Sequence, residues 1–293
     1  MTTHMQQPGL RLLPVELLYE IQLYALSPAL PCLSQFFLDI FKGTPISFRV
    51  QFLLASCTNI LTPSHTADIL SKALRYPLCT LPVLDQLYIK LEYLTQSESP
   101  LIIPHDSKLG RRTRTCEIPR RIFRALTSRK DGQDWRTSDE PLPFIQHLLS
   151  KGSNFPAFDP NSHQGYALTR AVHARHTPLI RLLLQMGASP TYKEGMAVKV
   201  AIKQKNLKMV KLLVERDDRD GSLLPPGLAK AEAQAQKPQK GKRRRLEDRI
   251  EVDQSMLKLA VKCNAGDIID YFAWEKGVVP DMQTLTSMTS MRK

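Results

Sequence analysis

The side chains in this sequence that could do chemistry are few, and their spacing does not form a catalytic pattern. Three histidines, His163, His173 and His176, are the nearest approach to a cluster of metal ligands. The acidic run from Asp217 to Asp220 lacks the ligand spacing of a calcium-binding loop. No phosphate-binding glycine loop, zinc-protease pattern, nucleophile elbow or paired-cysteine zinc pattern occurs. We therefore expect a protein that is not an enzyme and has no metal and no cofactor.

The five cysteines are scattered along the chain, and no two of them have Cys-x-x-Cys spacing. An odd, dispersed set is typical of reduced thiols in an intracellular protein. The first ten residues lack the charged-then-apolar pattern of a signal peptide. The longest uncharged run, residues 21–38, is interrupted by two prolines and several polar residues, which makes it a poor membrane span. The sequence thus predicts a soluble protein of the nucleus, the cytoplasm or both.

The excess basic charge is concentrated in two segments. The chain has 41 basic and 28 acidic residues, a net charge of +13. Residues 108–130 contribute +8 and residues 230–249 contribute +5, so the rest of the chain sums to neutral. The second segment contains the tightest group of cations: Lys240, Lys242, Arg243, Arg244 and Arg245. Such a group fits the acidic groove of a nuclear import receptor. A solvated basic loop and weak, salt-sensitive contact with nucleic acid are the alternatives.

Apolar residues follow a helical period over most of the chain. The clearest example is 165–189, where a short apolar helix, a turn at 175–178 and a second apolar helix end at Gly187. Glycine is expected there because the residue after a helix often takes a positive φ. Downstream, residues 201–213 and 260–272 align with 171–183 without a gap. Such helical hairpins bury their apolar faces only by stacking on copies of themselves. The expected repeat core is Ala171, Leu183, Gly187, Ala201, Leu212 and Ala260.

This pattern resembles the ankyrin repeat. The residues that carry the resemblance are Ala171-Val172, His176, Ile180, Leu183-Leu184 and Gly187-Ala188. It implies an all-α, ankyrin-like solenoid of stacked αα-hairpins whose concave face binds other proteins. It also implies that His176 is a turn residue hydrogen-bonded to the backbone. The spacing from Ala201 to Ala260 is 59 residues, against 30 from Ala171 to Ala201, which predicts an insertion before the last copy.

The N-terminal segment carries a separate pattern, Leu13-Pro14-x-Glu16-Leu17-x-x-x-Ile21. Pro14 suits the first turn of a helix, and Leu13, Leu17 and Ile21 recur at helical spacing with Leu18. The string resembles the opening of an F-box, the helical module that docks adaptors onto the linker subunit of a cullin ubiquitin ligase. The usual tryptophan near the end of that module is absent. The resemblance implies docking through Leu13, Pro14, Leu17 and Ile21. The alternative is an N-terminal helical cap on the repeat stack.

These patterns divide the chain into segments, most of them helical. A helix is expected at 118–128 with Ile122, Phe123 and Leu126 facing inward, followed by a polar loop at 130–140. The expected segments are a disordered N-terminus at 1–9, an F-box-like segment at 10–45, a helical segment with a candidate degenerate repeat at 46–94, a basic linker at 95–117, ankyrin-like repeats at 118–218, a disordered basic insertion at 219–250, a final repeat at 251–279 and a disordered tail at 280–293.

Together, the patterns predict a protein-interaction module, an ankyrin-repeat scaffold acting as an F-box-type substrate adaptor of a cullin ubiquitin ligase. Its expected partners are other proteins on the concave face, the ligase linker subunit and a nuclear import receptor. Two alternatives stay open. One is a nuclear scaffold or regulator with no ligase role, and the other is a basic nucleic-acid-associated factor.

Overall fold

The structure is a computed structural model that describes residues 10–58, 64–96, 102–103, 115–129, 135–150, 155–216 and 248–291. Of this part of the chain, 65% is helix and 3% is strand, so the predicted all-α class is confirmed. The described residues fall into two compact units. The N-terminal unit lies within Met1–Pro119 and Phe144–Phe158, and the C-terminal unit lies within Arg120–Pro143 and Asp159–Lys293.

The N-terminal unit contains the first helices and most of the sixth, with short strands between them. Its helices are α1 Val15–Ala25, α2 Gln35–Lys42, α3 Ile46–Cys57, α4 Thr66–Ala73, α5 Leu81–Gln96 and α6 Leu142–Ser150. Strand β1 (Ser64–His65) pairs in parallel with β2 (Ile102–Ile103), and β3 is Cys116–Glu117. A fourth short strand, β4 (Phe158–Asp159), lies where the two units meet in sequence. Helix α3 packs against α1, α4 and α5, and its Phe52 and Leu53 form part of the core.

Local signals set the ends of the first helices. Pro14 precedes α1, where its missing N–H removes no helical hydrogen bond. Leu26 takes a left-handed conformation (φ 48°) and closes the helix by donating its N–H to the Gln22 carbonyl. The second helix, α2, begins at Gln35. The Ser34 hydroxyl accepts the N–H of Phe37 and acts as the cap.

The start of α2 at Gln35 determines which of the nearby apolar side chains are buried. Phe37 and Phe41 join Leu18 in a buried cluster. Leu33 and Phe36 are 65% and 39% exposed. Leu33 precedes α2 instead of belonging to it, so it has no place on the inner face of that helix.

The C-terminal unit consists of consecutive helical hairpins and a final helix. It begins with a single 3-10 turn at Arg120–Phe123. The helices that follow are α7 Ser162–His173, α8 Thr177–Gln185, α9 Tyr192–Lys203, α10 Leu207–Val214, α11 Gln254–Lys262, α12 Gly266–Asp270 and α13 Met282–Met291, with a π-helical turn at Tyr271–Glu275 after α12.

Helices α7 to α12 form three hairpins with the same turn geometry, at the spacing that the sequence alignment predicts. In each turn one residue is left-handed, with φ between 53° and 57°: Arg175, Lys205 and Asn264. The N–H of the next residue bonds to the carbonyl of the aligned alanine at 3.0, 3.2 and 3.1 Å: Ala171, Ala201 and Ala260. Helix α9 packs against both α7 and α11, so the three hairpins are neighbours in the order of the chain.

Five of the six residues expected in the repeat core take their expected places. Ala171, Leu183, Ala201 and Ala260 are completely buried, and Gly187 ends α8 at φ 86°. The expectation for Leu212 was wrong. Leu212 is half-buried, whereas Leu213 is completely buried. The gap-free alignment pairs Leu213 with Leu183, and a shift of one residue turns a side chain by about 100° around the helix.

The helix predicted at 118–128 does not form. Only Arg120–Phe123 forms a 3-10 turn, although Phe123 and Leu126 are buried as expected and Ile122 is half-buried. The Arg170 guanidinium donates to the carbonyls of Phe123 and Arg124 at 3.4 and 3.2 Å, which a longer helix would use for its own hydrogen bonds. A helix would also place Arg124 on the same face as Arg120 and Arg121, where like charges repel one another.

The tail after Pro280 was predicted to be disordered, but it forms α13. The Asp281 carboxylate accepts the N–H of Thr284 at 3.0 Å and forms an ion pair with Lys258 of α11 at 2.7 Å. Helix α13 packs against α11 and buries Thr284. Because the partner of Asp281 lies more than twenty residues away in sequence, composition alone did not reveal this helix.

Candidate interaction surfaces

Helix α1 exposes a stripe of apolar side chains on one side and buries Leu18 on the adjacent side. Pro14, Leu17, Ile21 and Tyr24 follow one another at intervals of three and four residues, so they lie along one side of the helix. Leu17 is 43% exposed, Tyr24 is 88% exposed and Ile21 is half-buried. Leu18, on the adjacent side, is completely buried. We call these four residues the α1 stripe.

Three of the four predicted docking residues thus belong to the α1 stripe, and the fourth does not. Leu13 packs against the buried cluster formed by Leu18, Phe37 and Phe41. Eight of the sixteen exposed large apolar side chains in the described part of the chain fall within residues 10–46. Such a concentration of exposed apolar surface indicates a place where another molecule binds.

Trp135 holds residues 135–139 against the turn of the first hairpin. Its indole N–H donates to the Ala174 carbonyl at 2.7 Å. Its ring stacks on His176, with centroids 4.5 Å apart and planes inclined by 16°. The guanidinium of Arg129 lies 3.9 Å from the Trp135 ring centroid and pairs with Asp139 at 3.0 Å. The sequence interpretation treated this segment as a polar loop. A single tryptophan in a polar stretch was the signal that it missed.

His176 is completely buried and caps α8. Its Nδ1 accepts the N–H of Leu179 at 3.2 Å, which is the backbone role expected of it. An accepting Nδ1 places the ring proton on Nε2, which has no hydrogen-bond partner in the described part of the chain. Burial lowers the pKa of His176, and the nearby cation of Arg129 lowers it further, while the charge of Asp139 acts in the opposite direction.

This lowered pKa predicts that the protein loses stability in mild acid. The folded-state pKa of His176 lies below the ordinary unfolded value of about 6.5, so the unfolded chain takes up the proton first as the pH falls. Protonation would also turn Nδ1 from an acceptor into a donor facing the N–H of Leu179. The contribution of His176 to stability is therefore fully present above pH ~6.5. The free energy of unfolding decreases as the pH falls through that value, by at most about 1.4 kcal/mol per pH unit from this group.

His176→Asn is the matched control for this prediction, because Asn206 caps α10 at the aligned position by accepting the N–H of Met209 at 3.0 Å. Guanidinium unfolding followed by tryptophan fluorescence, repeated from roughly pH 7.5 to 5.5, should show a steeper loss in the wild type than in the variant. If the free energies of unfolding of the wild type and the variant depend on pH in the same way, His176 has the same pKa in the folded and the unfolded chain.

The exposed side of the first helices in the second and third hairpins carries cations. Lys203 and Lys262 occupy aligned positions at the ends of α9 and α11, where α7 has His173, and all three side chains are exposed. The Gln204 amide donates to the His173 carbonyl at 2.9 Å and joins two neighbouring turns. The histidines His173 and His176 are not brought together as ligands, because His176 is buried and His173 is exposed.

The described cysteines are free thiols, and burial holds Cys57 and Cys116 in the protonated form. Burial raises the pKa of Cys57 to about 11 and that of Cys116 to about 12. Neither thiol is a nucleophile near neutral pH. Within the described ranges, no three His, Cys, Asp or Glu side chains converge to hold a metal ion. No helix in those ranges has the length and apolar character needed to cross a membrane.

Several predicted sites lie outside the described residues. They are the acidic run from Asp217 to Asp220, most of the basic insertion, and the cations proposed for nuclear import, Lys240, Lys242, Arg243, Arg244 and Arg245. Import through these cations stays a prediction.

No protein-family model, curated protein or solved structure matches this chain. Its function is therefore inferred from two surfaces: the α1 stripe and the cationic side of the hairpins.

Proposed function

We propose that this protein is a non-enzymatic adaptor that joins the linker subunit of a cullin ubiquitin ligase to a second protein. The observation that carries the proposal is the α1 stripe. A helix that only covered the chain's own core would turn Leu17, Ile21 and Tyr24 inward, yet Leu17 and Tyr24 are among the exposed side chains. An exposed amphipathic helix of this kind is suited to a hydrophobic groove on a partner.

The resemblance of Leu13-Pro14-x-Glu16-Leu17-x-x-x-Ile21 to the opening of an F-box names the class of that partner. Within the pattern, Pro14, Leu17 and Ile21 supply the contact surface. Leu13 has a supporting role, because it holds the start of α1 against the buried cluster. The four positions therefore have two different roles in the proposed docking segment.

The C-terminal unit supplies the other half of the adaptor. We propose that its three hairpins are an ankyrin-like array, on the grounds of their shared turn geometry, their aligned buried alanines and the resemblance of 171–188 to the repeat core. Stacked hairpins of this kind present a continuous face of first helices, which can bind a protein segment. The second partner would bind there.

The double variant Leu17→Asp/Ile21→Asp tests the docking half. Two carboxylates on the α1 stripe would remain without a partner in an apolar groove, so binding to the purified linker subunit should weaken by about 100-fold. Folding should change little because the stripe is partly solvated, and far-UV circular dichroism checks this. The measurement is a pull-down with immobilised linker subunit, followed by titration calorimetry.

Ile89→Asp on α5 is the matched control, because Ile89 is also an exposed apolar side chain (59%) of the N-terminal unit. It should bind the linker subunit like the wild type. Failure of the wild-type chain to bind would refute the ligase role and leave the scaffold without a ligase role as the better account.

A further inference from the structure

The middle hairpin of the C-terminal unit is the most basic of the three. Residues 190–216 contain seven basic and two acidic residues, a net charge of +5. Residues 159–189 have a net charge of +2, and residues 248–276 have a net charge of −2. The net charge summed over the chain hides this difference, because the acidic residues of the last hairpin offset part of the positive charge of the middle hairpin.

The cations lie together where the hairpins turn. Lys203, Lys205 and Lys208 are exposed around the turn between α9 and α10. Because α7 and α11 flank α9, the aligned residues of the neighbouring turns continue the series on both sides. In the first hairpin, Arg175 aligns with Lys205. In the third hairpin, Lys262 aligns with Lys203. Both Arg175 and Lys262 are exposed. We call these five residues the cationic row.

Other lysines of the C-terminal unit form ion pairs with carboxylates. Three such pairs have distances of 3.2, 2.7 and 2.9 Å: Glu194 with Lys199, Asp281 with Lys258, and Glu275 with Lys211. In the described ranges, no carboxylate forms an ion pair with the lysines of the row. Like charges so close together repel one another and favour an anionic partner.

The spacing of the row fits an extended peptide. Packed helices lie about 8–10 Å apart. A peptide in the extended polyproline II conformation has three residues per turn and advances about 3.1 Å per residue, so its side chains on one face recur about every 9 Å. Every third side chain of such a peptide would therefore meet the next hairpin. Met196, two turns before Lys203 on the same face of α9, is 40% exposed and offers an apolar contact beside the charges.

A nucleic acid fits this surface less well. Asp267 and Asp270 of α12 are exposed at the positions that align with Lys208 and Lys211. They would face the phosphates of any nucleic acid that crossed all three hairpins. A peptide can place acidic residues opposite the lysines and neutral or basic residues opposite the aspartates, whereas a phosphate backbone carries charge at every step.

We propose that the cationic row binds an extended segment of a partner protein that has an acidic residue at about every third position. The inference rests on the proposed adaptor role and names the class of its second partner. The acidic side chains pair with Lys203, Lys262 and their neighbours, and the face of α9 contacts the residues between them.

The test uses the full chain and a fluorescein-labelled peptide with Glu at every third position, followed by fluorescence anisotropy. Lys203→Glu/Lys262→Glu should weaken binding by at least about tenfold, and Lys203→Gln/Lys262→Gln by less. The control Lys90→Glu/Arg181→Glu makes the same change in net charge at two exposed residues of α5 and α8 that do not belong to the row. It should weaken binding by less than about twofold.

Three results would overturn the proposal. One is no binding by the wild type, and another is equal weakening in both Glu double variants, which would mean attraction by net charge alone. The last is tighter binding of a single-stranded oligonucleotide with the same dependence on Lys203 and Lys262, which would assign the row to nucleic acid. In the same assay Leu17→Asp/Ile21→Asp should bind normally. Peptide binding by a chain that does not bind the linker subunit would therefore refute the ligase role alone.

Discussion

Leu213→Asp is expected to lower the free energy of unfolding of the C-terminal unit by about 4 kcal/mol. Leu213 is completely buried in α10. The substitution removes its packing and leaves a carboxyl group in an apolar site, where it must either stay charged without water or take up a proton. Leu212→Asp, the adjacent position on the same helix, should cost only about 1 kcal/mol because Leu212 is half-buried.

Guanidinium unfolding followed by tryptophan fluorescence measures this difference. Both tryptophans of the chain, Trp135 and Trp274, belong to the C-terminal unit, so the emission reports on that unit. The two substitutions also test the hairpin alignment, because it pairs Leu213 with the buried Leu183. Equal losses at the two positions, or a larger loss at Leu212, would mean that α10 is rotated relative to the structure described above.

Trp135→Ala is expected to destabilise the C-terminal unit by about 2–3 kcal/mol. It removes the ring that stacks on His176, the N–H that bonds to Ala174 and the face over which Arg129 lies. Trp135→Phe is the matched control: it keeps an aromatic ring and removes the N–H, so it should cost about 1 kcal/mol. Far-UV circular dichroism is the probe here, since the variants lose the reporting tryptophan.

The comparison of the stabilities of Trp135→Ala and Trp135→Phe shows whether the stacked ring contributes. If Trp135→Ala is no less stable than Trp135→Phe, the stacked ring contributes nothing and residues 135–139 are not held by Trp135. If both variants are as stable as the wild type, the contact between Trp135 and the first hairpin does not stabilise the protein.

Helical periodicity was enough to predict the elements that bury one apolar face. It located α3, α4, α5 and the three hairpins because their side chains alternate between buried and exposed at the helical period. The turn role of His176 was implied by the ankyrin resemblance, and the cap that His176 forms on α8 agrees with it. These features depend on neighbours within a few residues.

The features that sequence reasoning missed depend on distant residues. The ion pair of α13 joins Asp281 to Lys258, and the hydrogen bond that holds residues 135–139 joins Trp135 to Ala174. The cationic row was hidden for the same reason: Arg175, Lys205 and Lys262 become neighbours only when the hairpins stack. A local charge sum cannot show a row that crosses three helices.

The claim that the chain joins two protein partners through separate surfaces is tested most directly by a bridging assay. Purified ligase linker subunit is fixed to beads, and the fluorescein-labelled Glu peptide is added with and without the full chain. The beads should retain the peptide only when the chain is present. Leu17→Asp/Ile21→Asp and Lys203→Glu/Lys262→Glu should each abolish retention, whereas Ile89→Asp should preserve it. No retention with the wild-type chain, or retention that survives either double variant, would contradict the account.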